Sequence, residues 1–103
     1  MKVTETPLVD ASVIRVDKYE DERGFFMESF NEQQFIKELG HYEFVQDNHS
    51  KSSKGVLRGL HYQIEKPQGK LMRCTQGAVY DVIVDLRKSS RSFGLWFDIT
   101  LDN

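Results

Sequence analysis

The sequence interrupts its apolar runs every few residues with Gly, Ser, Asp or Pro, and this spacing constrains the fold more than any other feature. Residues 13–19, with Ser12 leading them, mix β-branched and polar positions. DERG at 21–24 turns the chain, and FFMESF at 25–30 forms the next strand-like run. NEQQFIKELG at 31–40 stands apart: Asn31 is a capping residue, Phe35, Ile36 and Leu39 share one face, and Gly40 is a stop. The spacing therefore predicts one short helix over 31–39. Strand character returns in EFVQDNHS (43–50), GVLRGLHYQ (55–63), LMRCT (71–75), AVYDVIVDLR (78–87) and LWFDITL (95–101). Turns at SSKG, PQG, Gln76-Gly77 and KSSRSFG separate them. So many short strands with a single helix predict an all-β domain, an antiparallel barrel or jelly roll. No linker or repeat divides residues 1–103, so one domain is expected.

Bulk properties exclude several roles. Fourteen Lys and Arg against sixteen Asp and Glu give a formal charge of −2, so no global basic field recruits nucleic acid. No apolar run reaches the length of a membrane span, and residues 1–20 lack the apolar centre of a signal peptide. The single cysteine, Cys74, forms no disulfide within the chain and makes no thiolate zinc site alone. A cytoplasmic protein without membrane or nucleic-acid partners is expected.

GVLRGLHYQ carries the first chemistry. Val56, Leu57, Leu60 and Tyr62 suit a buried strand, where a guanidinium and an imidazole are costly unless something anionic or reactive meets them. Arg58 and His61 are three apart, so regular alternation sends them to opposite faces; a bulge at Gly59 would bring them to one. The plainer alternative has Arg58 in solvent and His61 as a hydrogen-bonded core residue. Metal-binding jelly rolls of the cupin type use an H-x-H pair, but here the pattern is His61-Tyr62-Gln63. His41 and His49 lie outside that spacing, so no metal is expected.

Lys70 follows the PQG turn. A base at His61 with a cation at Lys70 suits proton abstraction beside a carbonyl, the cation stabilising the enolate oxygen. Lys70 as a solvated residue at a strand end is the bland alternative. In AVYDVIVDLR, alternation places Asp81 and Asp85 on one face with Val79 and Ile83. These carboxylates either orient a histidine or mark the solvated face. Arg23 and Glu28 around an aromatic pair, and Gln46, Asp47 and Asn48, suit recognition: amides read the edge of a pyrimidine, and arginines grip a diphosphate.

DERGFFMESFN, EFVQDNHSKSSKGVLRGLHYQ and QGKLMRCTQGAVYDVIVDLRKSSRSFGLW, taken in order and nearly ungapped, resemble successive motifs of the dTDP-4-dehydrorhamnose 3,5-epimerase family. The resemblance runs from about Val13 onward. It implies a metal-free, cofactor-free, cupin-type jelly roll that forms a homodimer with shared substrate sites. It also implies inversion at C3 and C5 of dTDP-4-dehydro-6-deoxy-D-glucose, in dTDP-rhamnose biosynthesis for bacterial cell surfaces. Carried over by position, His61 is the base and Lys70 stabilises the enolate. Asp81 falls at a position close to the histidine. Arg58 contacts substrate, and Arg23, Glu28, Gln46, Asp47 and Asn48 belong to the nucleotide-binding set.

The resemblance covers little more than the N-terminal half of such an enzyme. The family's tyrosine acid lies beyond position 103, and neither Tyr62 nor Tyr80 matches it by motif. The expectation is a C-terminally incomplete domain, whose uncovered strand edges favour an oligomer over a monomer. A non-catalytic dTDP-sugar-binding module, a structural fragment that pairs with another chain, and a sugar-nucleotide ketoisomerase on the same scaffold remain as alternatives.

Overall fold

A computed structural model describes residues 1–103. It divides into two compact units, one made of Met1–Tyr42 with Cys74–Asn103 and the other of Glu43–Arg73.

The first unit holds all the regular structure: β1 (Lys2–Glu5), β2 (Ser12–Arg15), β3 (Lys18–Asp21), β4 (Gly24–Met27), α1 (Glu32–Leu39), β5 (Ala78–Val84) and β6 (Trp96–Asp102). The strands pair as three antiparallel ribbons, β1 with β2, β3 with β4 and β5 with β6. The expected run over 12–19 is two strands, broken at Val16-Asp17, and the one over 25–30 is shorter, ending at Met27. β1 lies in a stretch whose polar KVTE alternation gave no strong strand signal.

α1 forms as the sequence predicts. The Asn31 side chain accepts a hydrogen bond from Gln34 N at 3.1 Å, and Gly40, at φ 93°, closes the helix by donating its N–H to Ile36 O. That positive φ is a left-handed conformation glycine adopts at no steric cost. Phe35, the buried residue of α1, packs against Phe30 at 5.5 Å between ring centroids and edge-on to Tyr42 at 6.1 Å.

β5 and β6 are the longest strands, and their register places Val79 opposite Leu101, Asp81 opposite Ile99 and Ile83 opposite Phe97. Their connection is organised by Asp85, which the sequence left between orienting a histidine and marking a solvated face. The structure corrects both readings. Asp85 is buried, and its Oδ1 accepts from Arg87 N and Nε, both at 3.0 Å. Its Oδ2 accepts from Arg87 Nη2 at 3.0 Å and from the hydroxyls of Ser90 and Ser92, each at 2.6 Å. A buried carboxylate persists where its lone pairs are taken up this fully.

Distant chain joins the same network. Ser92 Oγ accepts from Val9 N at 2.9 Å, while Arg87 donates to Asp10 Oδ2 and Val9 O, both at 2.7 Å. The connection between β1 and β2 is thereby tied to the one between β5 and β6. Leu8, beside this knot, is the other buried apolar residue.

The second unit departs most from expectation. Residues 43–50 and 55–63, and the LMRCT run at 71–75 that crosses the unit boundary, form no strands. Propensity marks a residue as suited to a pleated, half-buried surface, but a strand exists only in a ladder. Within Glu43–Arg73 the backbone hydrogen bond is Val56 N to Ser53 O at 3.3 Å, which closes the expected SSKG turn. The apolar side chains here stand in solvent, Leu57 at 91% and Ile64 at 86% exposure.

Candidate functional site

Within the first unit, the β3–β4 hairpin presents two of the expected recognition residues. Its two-residue turn, Glu22-Arg23, is set by the register of Asp21 opposite Gly24. Asp21 Oδ1 accepts from Arg23 N at 2.9 Å, and Oδ2 accepts from Arg23 Nε at 3.0 Å and Nη2 at 2.5 Å. The Arg23 guanidinium holds the Asp21 carboxyl below the usual carboxylate range. Tyr19 and Phe26 are cross-strand partners on this hairpin. Both line a cavity of about 140 Å³ together with Met1, Val16, Asp17, Glu28, Asn31 and Gln34. Aromatic side chains beside two amides and the carboxylates of Asp17 and Glu28 suit a flat ring with N–H donors, whose edge those polar groups can read.

Asp81 sits half-buried in the middle of β5. On the neighbouring position, a hydrogen bond to Asp98 raises the Tyr80 phenol above its ordinary pKa, so Tyr80 holds its proton more tightly.

The second unit carries the remaining expected residues, all exposed. Gln46 Nε2 donates to Asn48 Oδ1 at 3.2 Å, with Asp47 between them. Arg58 is oriented by its own loop: Nε donates to Ser52 Oγ at 2.9 Å and Nη2 to Lys51 O at 3.3 Å. Gly59 has φ 99°, and the His61 ring lies beside it, with Nδ1 3.5 Å from where a Cβ would stand. A Cβ there would meet the ring only at ordinary contact distance, so it is the left-handed backbone that calls for glycine, and residues 55–63 form no strand in which the suggested β-bulge could sit. No hydrogen bond or ion pair joins Arg58, His61 and Lys70 to one another. Among the expected residues of this unit, a side-chain hydrogen bond joins Gln46 to Asn48, and none joins His61 to Lys70.

Sequence reasoning missed Asp21, the partner of Arg23, and misplaced Asp85, which is buried in a network of its own. The signal for each was local, a carboxylate two residues before an arginine in a turn-forming stretch.

The family model described as dTDP-4-dehydrorhamnose 3,5-epimerase matches residues 5–103. The chain belongs to this family. It is 56% identical to the dTDP-4-dehydrorhamnose 3,5-epimerase of Shigella flexneri over 103 residues, covering 98% of this chain and 57% of that protein. The Pseudomonas aeruginosa enzyme of the same name is 53% identical, over 93% of this chain and 54% of its own length. The chain thus spans about half the length of these curated relatives. Among solved structures, it resembles a dTDP-6-deoxy-D-glucose-3,5-epimerase from Legionella pneumophila in complex with dTDP-4-keto-L-rhamnose. That likeness has a TM-score of 0.91 at 46% identity and covers 98% of this chain and 54% of the other. These epimerase-family structures share the chain's mostly stranded architecture. No helix of the chain is long and apolar enough to cross a membrane.

Proposed function

We propose that the chain carries the substrate-recognition and base-bearing part of a cytoplasmic dTDP-4-dehydrorhamnose 3,5-epimerase on a cupin-type jelly roll, acting as a homodimer with shared sites. The observation that supports this most strongly is the family match over residues 5–103, joined to the likeness at a TM-score of 0.91 to a structure solved with the keto-rhamnose nucleotide. The reaction is inversion at C3 and C5 of dTDP-4-dehydro-6-deoxy-D-glucose to give dTDP-4-dehydro-L-rhamnose.

Both carbons flank the C4 ketone, so their C–H bonds are acidic. In this reading the His61 imidazole takes the proton, the C–H electron pair moves into the ring as an enolate, and the negative charge gathers on O4. The Lys70 ammonium stabilises that oxygen. Return of a proton to the opposite face of the same carbon completes each inversion. Asp81 is assigned to the catalytic set by its position in the family motif. Arg58 and Arg23 are assigned to the anionic part of the substrate, and Glu28, Gln46, Asp47 and Asn48 to the nucleotide.

Deuterium uptake tests the assignment. The chain is incubated with the substrate in deuterated water and C3–H and C5–H loss is followed by NMR, beside His61→Asn. Exchange in the parent that is lost in the variant supports the base. Equal exchange in both refutes it, and binding without any exchange would make the chain a dTDP-sugar-binding module.

A further inference from the structure

We propose that Asp21 is a positioning residue for Arg23, presetting its guanidinium to receive a phosphate group of the nucleotide; this rests on the reading of Arg23 as a nucleotide contact. An exposed arginine on a hairpin turn ordinarily samples many rotamers, and Arg23 is 86% exposed at its side chain. Here one carboxylate fixes it at both ends. Asp21 Oδ1 holds the backbone N–H of Arg23, which sets the turn, and Oδ2 holds Nε and Nη2, which sets the head group.

Of the five N–H donors of a guanidinium, two are engaged and three remain. The three are both protons of Nη1 and one of Nη2. One proton of Nη1 and the free one of Nη2 lie along the outer edge, where their parallel N–H bonds form the fork that matches two oxygens of a phosphate. Asp21 therefore occupies the edge that recognition does not need and leaves the other free. The pair has no net charge, so what it offers an anion is directed hydrogen bonds more than a field. The ordering cost of Arg23 is met before ligand arrives.

A double-mutant cycle on the chain, with dTDP as probe in calorimetry, tests this. Asp21→Asn keeps an acceptor for the turn N–H but loses the charged hold on the guanidinium. It is expected to weaken dTDP binding about two- to tenfold, the scale of ordering one long side chain. It should have no effect in the Arg23→Ala background. The variant's affinity should also fall more steeply with added salt, because an unpaired guanidinium binds through its charge. Unchanged or tighter binding in Asp21→Asn, an equal loss in the Arg23→Ala background, or unchanged salt sensitivity would overturn the inference. If Arg23→Ala alone leaves dTDP affinity unchanged, it is the assignment of Arg23 as a nucleotide contact that fails.

Discussion

Replacing Ser92 with alanine probes the knot around Asp85 without removing its charge. Ser92 is 2% exposed, and its hydroxyl serves two partners. It donates its one proton to Asp85 Oδ2 at 2.6 Å and accepts from Val9 N at 2.9 Å. Ser90 likewise donates to that carboxylate oxygen, so the 3.1 Å approach of the two hydroxyls adds little. Alanine deletes a charge-assisted hydrogen bond, worth about 2 kcal/mol, and leaves the half-buried Val9 N–H without its acceptor, at about 1 kcal/mol more. The expected loss is about 3 kcal/mol. In a domain of this size that lowers the melting midpoint by about 12–24 °C. Urea titrations followed by tryptophan fluorescence should show the lower midpoint with an unchanged slope. Ser89→Ala, on an exposed serine of the same connection, should stay within about 0.5 kcal/mol of the parent. A Ser92→Ala chain as stable as Ser89→Ala would refute the reading of the knot as a tie between the two connections.

Three further outcomes are expected. Asp85 is held well below the usual carboxylate range, chiefly by Arg87 and then by Ser90 and Ser92. A depressed folded pKa gives stability that is fully present above the unfolded value near 4 and lost as pH falls below it, so the chain's acid unfolding should flatten in Asp85→Asn when followed by circular dichroism. Asn31→Ala removes the cap from Gln34 N and should cost about 1 kcal/mol, read as reduced stability with the loss of α1 signal. Arg58→Ala should weaken dTDP binding by about 1.5–3 kcal/mol in calorimetry, and equal affinities would remove Arg58 from the site.

What was legible in the sequence was what short-range chemistry decides. Asn31 and Gly40 bracket α1 because a cap and a left-handed stop act within a few residues. The alternation of AVYDVIV and LWFDITL foretold β5 and β6 because these two strands find each other across a single connection. GVLRGLHYQ has equal strand character but no ladder partner within the chain, so propensity alone misled. The knot was hidden for a different reason: Val9 reaches Ser92 across 83 positions, a separation no local pattern encodes. At the candidate site, the motifs supplied the family and a set of candidate residues, while the loop contacts of Arg58 and the hold of Asp21 on Arg23 became visible only with side chains in place.

Residues 43–73 carry His61, Lys70 and Arg58 on backbone that makes almost no internal hydrogen bonds. In the terms of amide exchange, this places the assigned chemistry on the least protected stretch of the chain, while the β5–β6 ladder supplies the slow amides. A nucleotide that settles against these loops has little pre-existing protection to compete with, so its arrival is written directly into their exchange rates. Each newly slowed amide between Glu43 and Arg73 would then mark where the ligand, rather than the fold, has ordered the backbone.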